Sequence, residues 1–168
     1  MTAVAVDGLS FDFPAKWSAS KYDEWSFYRN QFGKMRGGIK AVDLVAIDPS
    51  ETVWLIEVKD YRVHQRTKPI DLGAEVQHKV FDTLAALLPA KVNANDSTES
   101  GFARDALRAR KLRVVLHLEQ PAKHSFFRPR AINPADIEEK LKVLLKPIDA
   151  HPIVAEKADM RSLAWSVQ

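Results

Sequence analysis

The sequence contains no cysteine, and this absence excludes disulfide bonds and zinc sites built on thiolates. It also fits a reducing compartment. No apolar run is long enough to span a bilayer. The N-terminus lacks a basic region followed by an apolar core, so it does not resemble a secretory signal. From these absences we expect a cytoplasmic protein with no membrane contact.

An excess of charge of one sign is also missing, because the formal net charge is only +3 at pH 7. Any binding of nucleic acid must therefore come from local patches of positive charge. The sequence has no Gly-x-Ser-x-Gly elbow and no glycine-rich nucleotide turn, which argues against a small-molecule hydrolase or transferase. Its 168 residues suit one domain, and no repeat or linker divides residues 1–168.

Two apolar segments, residues 41–47 and 53–59, predict a β-hairpin with a turn at residues 48–51. Side chains alternate along a strand, so Glu57 and Lys59 are expected on one face, with Asp43 near them on the neighbouring strand. Unpaired charges are costly to bury. We therefore expect these three residues to pair, to bind a ligand or to lie at the rim of the sheet.

The spacing from Asp43 to Glu57-x-Lys59 resembles the PD-(D/E)xK nuclease superfamily, in which an acid opens one hairpin strand and (D/E)xK lies on the next. Val42 departs from the proline that often precedes the acid. The resemblance implies an α/β (α+β) fold of the restriction-endonuclease-like type, a central mixed sheet flanked by helices. Its core would be residues 19–118, with residues 1–18 and 119–168 as terminal decorations.

The resemblance further implies a metal-dependent endo- or exodeoxyribonuclease that hydrolyses DNA. Asp43, Glu57 and the carbonyl of Val58 would bind Mg²⁺ or Mn²⁺, and Lys59 would act on the attacking water or the phosphate. DNA is the expected partner, with a homodimer or larger complex. The alternative is a catalytically inert nuclease-fold module that binds nucleic acid or protein.

Two further residues enter through the same resemblance. Gln77, followed four residues later by Phe81, matches Gln-x-x-x-Tyr/Phe of the exonuclease branch and would orient Lys59 or the substrate. Glu24, or Asp23 beside it, lies in a helix predicted at residues 19–31 and would add an acid to the metal site. An acid that stabilises the N-terminus of that helix explains either residue equally well.

Two basic segments flank the predicted site. Each fits a surface that contacts a phosphate backbone, and each also fits an ordinary solvated turn or loop. The glycines of the first segment permit close approach, and that segment is also a candidate for a short first strand. The two segments contribute Lys34, Arg36 and Lys40, and then Tyr61, Arg62, Arg66 and Lys68.

The remaining elements follow from periodicity, turns and caps. We predict a hairpin at residues 3–13, a helix at 72–88 ended by Pro89, and a mobile surface loop at 91–101. A basic helical stretch at 102–111 and a strand at 112–118, parallel to the second hairpin strand, come next. A basic and aromatic loop at 123–130, a helix from Asn133 to residue 146, and strands at 153–156 and 163–167 complete the chain.

Overall fold

The computed structural model describes residues 1–64, 66–121 and 132–168. The strands are β1 Thr2–Val6, β2 Leu9–Phe13, β3 Ser18–Lys21, β4 Leu44–Ile47, β5 Thr52–Asp60, β6 Lys111–Glu119, β7 Ile153–Ala155 and β8 Ser166–Val167. The α-helices are α1 Ser26–Asn30, α2 Leu72–Asn93, α3 Ser97–Ala106 and α4 Pro134–Leu144. Two 3-10 helices lie at Tyr22–Glu24 and Phe32–Gly37.

The larger sheet has the strand order β3-β4-β5-β6-β7. Its pairs β3-β4 and β4-β5 are antiparallel, whereas β5-β6 and β6-β7 are parallel. The chain passes through α2 and α3 between β5 and β6, as a parallel connection requires. This mixed sheet with flanking helices confirms the predicted α+β class, the 41–59 hairpin and the parallel pairing of β6. The restriction-endonuclease-like arrangement in particular stays a prediction.

A second sheet, β1-β2-β8, covers the face of the larger sheet opposite the helices. Its strand β2 has an alternating pattern of buried residues that includes Phe11 and Phe13, which pack with Ile56 and Val58 of β5. The alternate β5 residues Val53 and Leu55 pack with the helices instead. By the same alternation, Glu57 and Lys59 lie on the helix side of β5.

The helix predicted at residues 19–31 is wrong over most of its length. Ser18–Lys21 forms strand β3, which pairs with β4, and α1 begins only at Ser26. The aromatic spacing suggested a long helix because Tyr22 and Trp25 are both buried and pack together, with ring centroids 5.0 Å apart. Over so few residues, a strand followed by a 3-10 turn spaces its buried aromatic side chains much as an α-helix would.

Two predictions around α2 are also wrong. Pro89 does not end the helix, which continues to Asn93 with the proline inside its last turns. The expected loop at 91–101 contains the start of α3, where the Asp96 side chain accepts hydrogen bonds from Thr98 N and Glu99 N. Asp96 with Glu99 three residues later has the spacing of a helix N-terminus. The helix predicted at residues 102–111 therefore corresponds to α3, which begins and ends five residues earlier, at Ser97–Ala106.

The C-terminal part follows the sequence more closely. Asn133 caps α4 by accepting from Ala135 N, as predicted, and the final strands are shorter than expected. The predicted short strand before Asp43 is a 3-10 helix, Phe32–Gly37. The basic and aromatic loop at 123–130 lies outside the described residues. Across the part of the chain that the structure describes, no helix is long and apolar enough to cross a bilayer, and the compartment stays a prediction.

Candidate functional site

Asp43, Glu57 and Lys59 lie together at the end of the β4-β5 hairpin. Asp43 immediately precedes β4, and its Oδ2 accepts a hydrogen bond of 2.7 Å from the backbone N of Val58. Lys59 Nζ is 2.6 Å from Oε1 of Glu57. The structure therefore brings together the three residues that the sequence predicted would converge, and Val58 contributes its backbone N–H to them.

Glu57 is the most deeply buried member of this cluster, with a side chain that is 0% exposed. Its Oε1 is also 2.6 Å from Nζ of Lys79, whereas Oε2 has no hydrogen-bond partner among the residues that the structure describes. Burial, and then the nearby charge of Asp43, raise the pKa of Glu57 to about 7, although both lysines oppose the change. Its carboxyl group therefore takes up a proton close to neutral pH.

Lys79 was not recognised from the sequence. It lies on α2 between Val76 and Val80, which are buried in the core, and its Nζ is also 3.9 Å from Asp43 Oδ1. Glu75, one turn before Lys79, was missed as well. The sequence does contain a signal for Glu75 and Lys79: they carry opposite charges, are four residues apart, and each precedes an apolar valine. This spacing places both side chains at the edge of the inward face of α2.

Glu75 forms a second centre of ion pairs next to the first. Its Oε1 is 3.0 Å from Lys59 Nζ and 2.8 Å from Lys68 Nζ, and its Oε2 is 2.6 Å from Nη1 of Arg66. Burial opposes ionisation of Glu75, but hydrogen bonds from these cations outweigh it and lower its pKa to about 2. Lys59 thus bridges a carboxyl group that titrates near neutral pH and one that stays ionised.

The second basic segment is paired with the chain's own acids. Arg62 binds Asp60 through Nε and Nη2, at 2.9 and 2.6 Å. Arg66 donates from Nη1 to Tyr61 Oη at 3.0 Å, and Lys68 is committed to Glu75 as described above. These cations neutralise nearby carboxylates and fix the loop after β5, so they carry little uncompensated charge for a phosphate backbone.

The first basic segment has a different environment. Lys34, Arg36 and Lys40 are exposed, and none of them forms an ion pair with a carboxylate in residues 1–64, 66–121 or 132–168. The segment is held in place through its backbone: Ile39 O accepts from Tyr28 Oη at 2.9 Å, and Lys40 N donates to Asp82 Oδ2 of α2 at 2.7 Å. We call these three side chains the cationic segment.

Two predicted site residues point elsewhere. The half-exposed Glu24 pairs with Lys21 at 3.1 Å and with Arg29 at 3.6 Å. Its neighbour Asp23 interacts electrostatically with the cluster: burial, and then the charge of Asp43, raise the pKa of Asp23. Gln77 donates from Nε2 to Leu144 O at 2.8 Å and ties α2 to α4. The structure therefore shows no contact of Gln77 with Lys59.

The chain is similar to part of a known tRNA ligase. No family model matches the chain, and no solved structure matches it. A cysteine–tRNA ligase from Neisseria meningitidis serogroup A is 29% identical over 208 aligned residues, which cover 99% of this chain and 30% of the ligase. The chain therefore spans less than a third of the length of the curated relative that it matches.

These findings correct the expected activity. The prediction of a DNA nuclease is wrong, because the matching relative is a tRNA ligase. The same relative points away from the predicted metal-dependent nuclease, and the described residues contain no group of three or more His, Asp or Glu side chains that could hold a metal ion. The resemblance to the PD-(D/E)xK superfamily, the Mg²⁺ or Mn²⁺ cofactor and the DNA partner stay predictions.

Proposed function

We propose that this chain is a tRNA-binding accessory domain that serves cysteine–tRNA ligation. The observation that carries this proposal is the alignment, which extends over 99% of the chain with a protein that, by its name, joins cysteine to tRNA. A match that runs from one end of a domain to the other relates the whole fold to part of the ligase. A short shared motif would relate only one site.

The domain contributes binding rather than the ligation itself. The chain spans only 30% of the ligase, and its sequence has no glycine-rich nucleotide turn. The charges of its buried cluster are largely compensated within the chain, since Lys59, Lys79, Arg66 and Lys68 all contact Glu57 or Glu75. Such a cluster holds β5, α2 and the loop between them together.

The cationic segment is the surface that supports RNA binding. Its three side chains are exposed, and they are not neutralised by carboxylates of the described residues. Phosphate groups release their counterions when cations of this kind approach, and this release supplies most of the sequence-independent affinity for nucleic acid. Gly37 and Gly38 have φ angles of +75° and +115°, so the turn that presents these cations requires glycine.

The test measures binding of a fluorescently labelled cysteine tRNA by anisotropy across a salt series. We expect the native chain to bind, and the triple variant Lys34→Gln, Arg36→Gln, Lys40→Gln to bind at least about tenfold more weakly at low salt. Losing three phosphate contacts should also reduce the magnitude of the log–log salt slope by about 2 to 3. Glutamine keeps most of the side-chain length and removes the charge.

A matched control removes the same charge elsewhere. Lys16, Lys146 and Lys157 are exposed, and the triple variant that changes them to glutamine lowers the net charge equally. We expect this control to retain native affinity for the tRNA. Equal weakening of both triple variants, or no binding by the native chain, would contradict the proposal. A DNA duplex of matched length in the same assay tests the DNA partner predicted from the sequence.

A further inference from the structure

A run of cations surrounds the junction between α3 and β6. Arg104 lies in the last turn of α3, Arg108 follows the end of that helix by two residues, and Arg110 immediately precedes β6. Lys111 is the first residue of β6. All four residues are exposed. We call these four residues the basic edge.

The basic edge carries more positive charge than its acidic neighbours neutralise. Oδ1 of Asp105 is 3.3 Å from Nε of Arg104 and 3.8 Å from Nη1 of Arg108. Nε of Arg110 is 2.6 Å from Oε2 of Glu51. The lysine of the edge has no ion pair with a carboxylate of the described residues, so two carboxylates face four cations there. Because the paired side chains are 45% to 81% exposed, water and salt screen these pairs, and a phosphate can replace the carboxylates.

The structural needs of α3 account for only part of this charge. Cations near the C-terminus of a helix interact favourably with the helix dipole, but the effect falls off within the last turn. Arg110 and Lys111 lie beyond that turn, on a backbone that is nevertheless fixed. Arg110 N donates to Glu51 O at 2.9 Å, and Lys111 pairs with Thr52 of β5. The edge therefore presents its outer cations from an ordered backbone, which lowers the entropic cost of binding.

The basic edge and the cationic segment are connected through α1 and α3. Glu99, at the start of α3, accepts hydrogen bonds from Ser26 N and Phe27 N of α1 at 2.6 and 3.0 Å. Helix α1 leads into the 3-10 helix that carries the first two cations of the cationic segment. Arg108 is nine residues after Glu99 and therefore lies roughly 14 Å further along α3. A folded RNA carries phosphates along its whole length and can reach both surfaces, whereas a small anion occupies only one.

We propose that the basic edge is a second phosphate-binding surface, and that one tRNA contacts it together with the cationic segment. The two surfaces together carry more positive charge than the net +3 of the whole chain, so the positive charge of the molecule is concentrated there. Once RNA binds one surface, its contact with the other is intramolecular, and the two contacts reinforce each other. The inference rests on the proposed tRNA binding and adds a second contact region to it.

The experiment adds a second triple variant, Arg108→Gln, Arg110→Gln, Lys111→Gln, to the anisotropy and salt series. We expect it to bind cysteine tRNA at least about fivefold more weakly than the native chain at low salt, and to reduce the magnitude of the log–log salt slope by about 1 to 2. The reduction is smaller than for the cationic segment because Arg108 and Arg110 each have a carboxylate partner in the free chain. Combining both triple variants should add their two reductions in slope.

Asp105→Asn gives a change in the opposite direction. It removes the carboxylate that Arg104 and Arg108 share, so we expect cysteine tRNA to bind about twofold more tightly. A purely structural role of the edge predicts no such gain. The control for lost charge is again the triple glutamine variant of the exposed lysines 16, 146 and 157. Thermal unfolding of each variant verifies that it is folded at the assay temperature.

The possible results separate this inference from the proposed function. Native affinity in the edge variant, with weakened binding in the cationic-segment variant, would overturn the second surface and leave tRNA binding at the first one standing. Weakening no greater than in the lysine control would also overturn it, because net charge alone would then explain the loss. Two tRNA molecules per chain in sedimentation experiments would contradict a single RNA on both surfaces. Absence of binding by the native chain would overturn both proposals.

Discussion

At the scale of single residues, Glu57 shows how the candidate site balances its charges. Its carboxylate is fully buried beside Asp43, and two lysines compensate it only in part, so the raised pKa reflects a net cost of ionisation. The alternation of β5 was enough to predict that Glu57 and Lys59 lie on one face. It could not predict Lys79 or Glu75, because periodicity does not fix the rotation of α2 closely enough to choose between border positions.

We predict that Glu57→Gln changes the pH dependence of stability. Because the pKa of Glu57 is raised from 4.5 to about 7 in the folded state, its contribution to the free energy of unfolding is complete below pH 4.5 and is lost as the pH rises through 7. Glutamine remains neutral throughout. The variant should therefore gain roughly 2 to 3 kcal/mol relative to the native chain between pH 4.5 and pH 8, measured by urea unfolding.

The control for this prediction is Glu75, whose pKa is shifted in the opposite direction. The pKa of Glu75 is lowered from 4.5 to about 2, so its contribution is present above pH 4.5 and is lost as the pH falls toward 2. Glu75→Gln should therefore be less stable than the native chain at neutral pH, with a difference that narrows in acid. If the difference between Glu57→Gln and the native chain did not vary with pH, the pKa of Glu57 would be the same in the folded and unfolded states, and burial would not raise it.

At the scale of secondary structure, the elements with local signals were predictable and those that depend on distant partners were not. The hairpin at residues 3–13, the 48–51 turn and the Asn133 cap each depend on a few consecutive residues. Strand β3 depends on pairing with β4, more than twenty residues further along the chain, and this pairing overrides the helical spacing of its neighbours. Pro89 was misjudged because a proline near the end of a helix removes only one hydrogen bond.

The capping interaction of Asp96 gives a test at this scale. Its side chain accepts from Thr98 N and Glu99 N at the start of α3. We expect Asp96→Ala to lower the free energy of unfolding by about 1 kcal/mol, because two backbone N–H groups lose their acceptor. The comparison is Asp105→Ala in the same helix, whose exposed carboxylate contacts the side chains of Arg104 and Arg108. Thermal unfolding of both variants should show a clearly smaller effect at Asp105.

At the scale of the whole molecule, the second sheet is the feature that the sequence could not predict. It joins β1 and β2 from the beginning of the chain to β8 from its end, with Phe11 opposite Val167. The strand predicted at residues 163–167 contains β8, which has only two residues, and no local pattern indicates that it pairs with β2 at the other end of the chain. The sheet packs on the main sheet through Phe11, which is fully buried and contacts the His117 ring at a centroid distance of 5.1 Å.

We predict that Phe11→Ala destabilises the whole fold. Removing a fully buried aromatic ring leaves a cavity between the two sheets and should cost about 3 to 5 kcal/mol in the free energy of unfolding. Phe81→Ala, at an exposed position of α2, is the matched control and should change stability by less than about 1 kcal/mol. A native-like unfolding midpoint for Phe11→Ala would show that the second sheet does not support the first.

The second sheet also sets the separation of the first and last strands. Thr2 of β1 pairs with Phe13, and Val167 of β8 pairs with Phe11. Thr2 and Val167 therefore lie on opposite sides of the same short stretch of β2. From the spacing of strands and residues in a sheet, their Cα atoms are on the order of 12 Å apart. A host protein can therefore carry this domain within a surface loop whose two ends are only that far apart, and neither fold has to open.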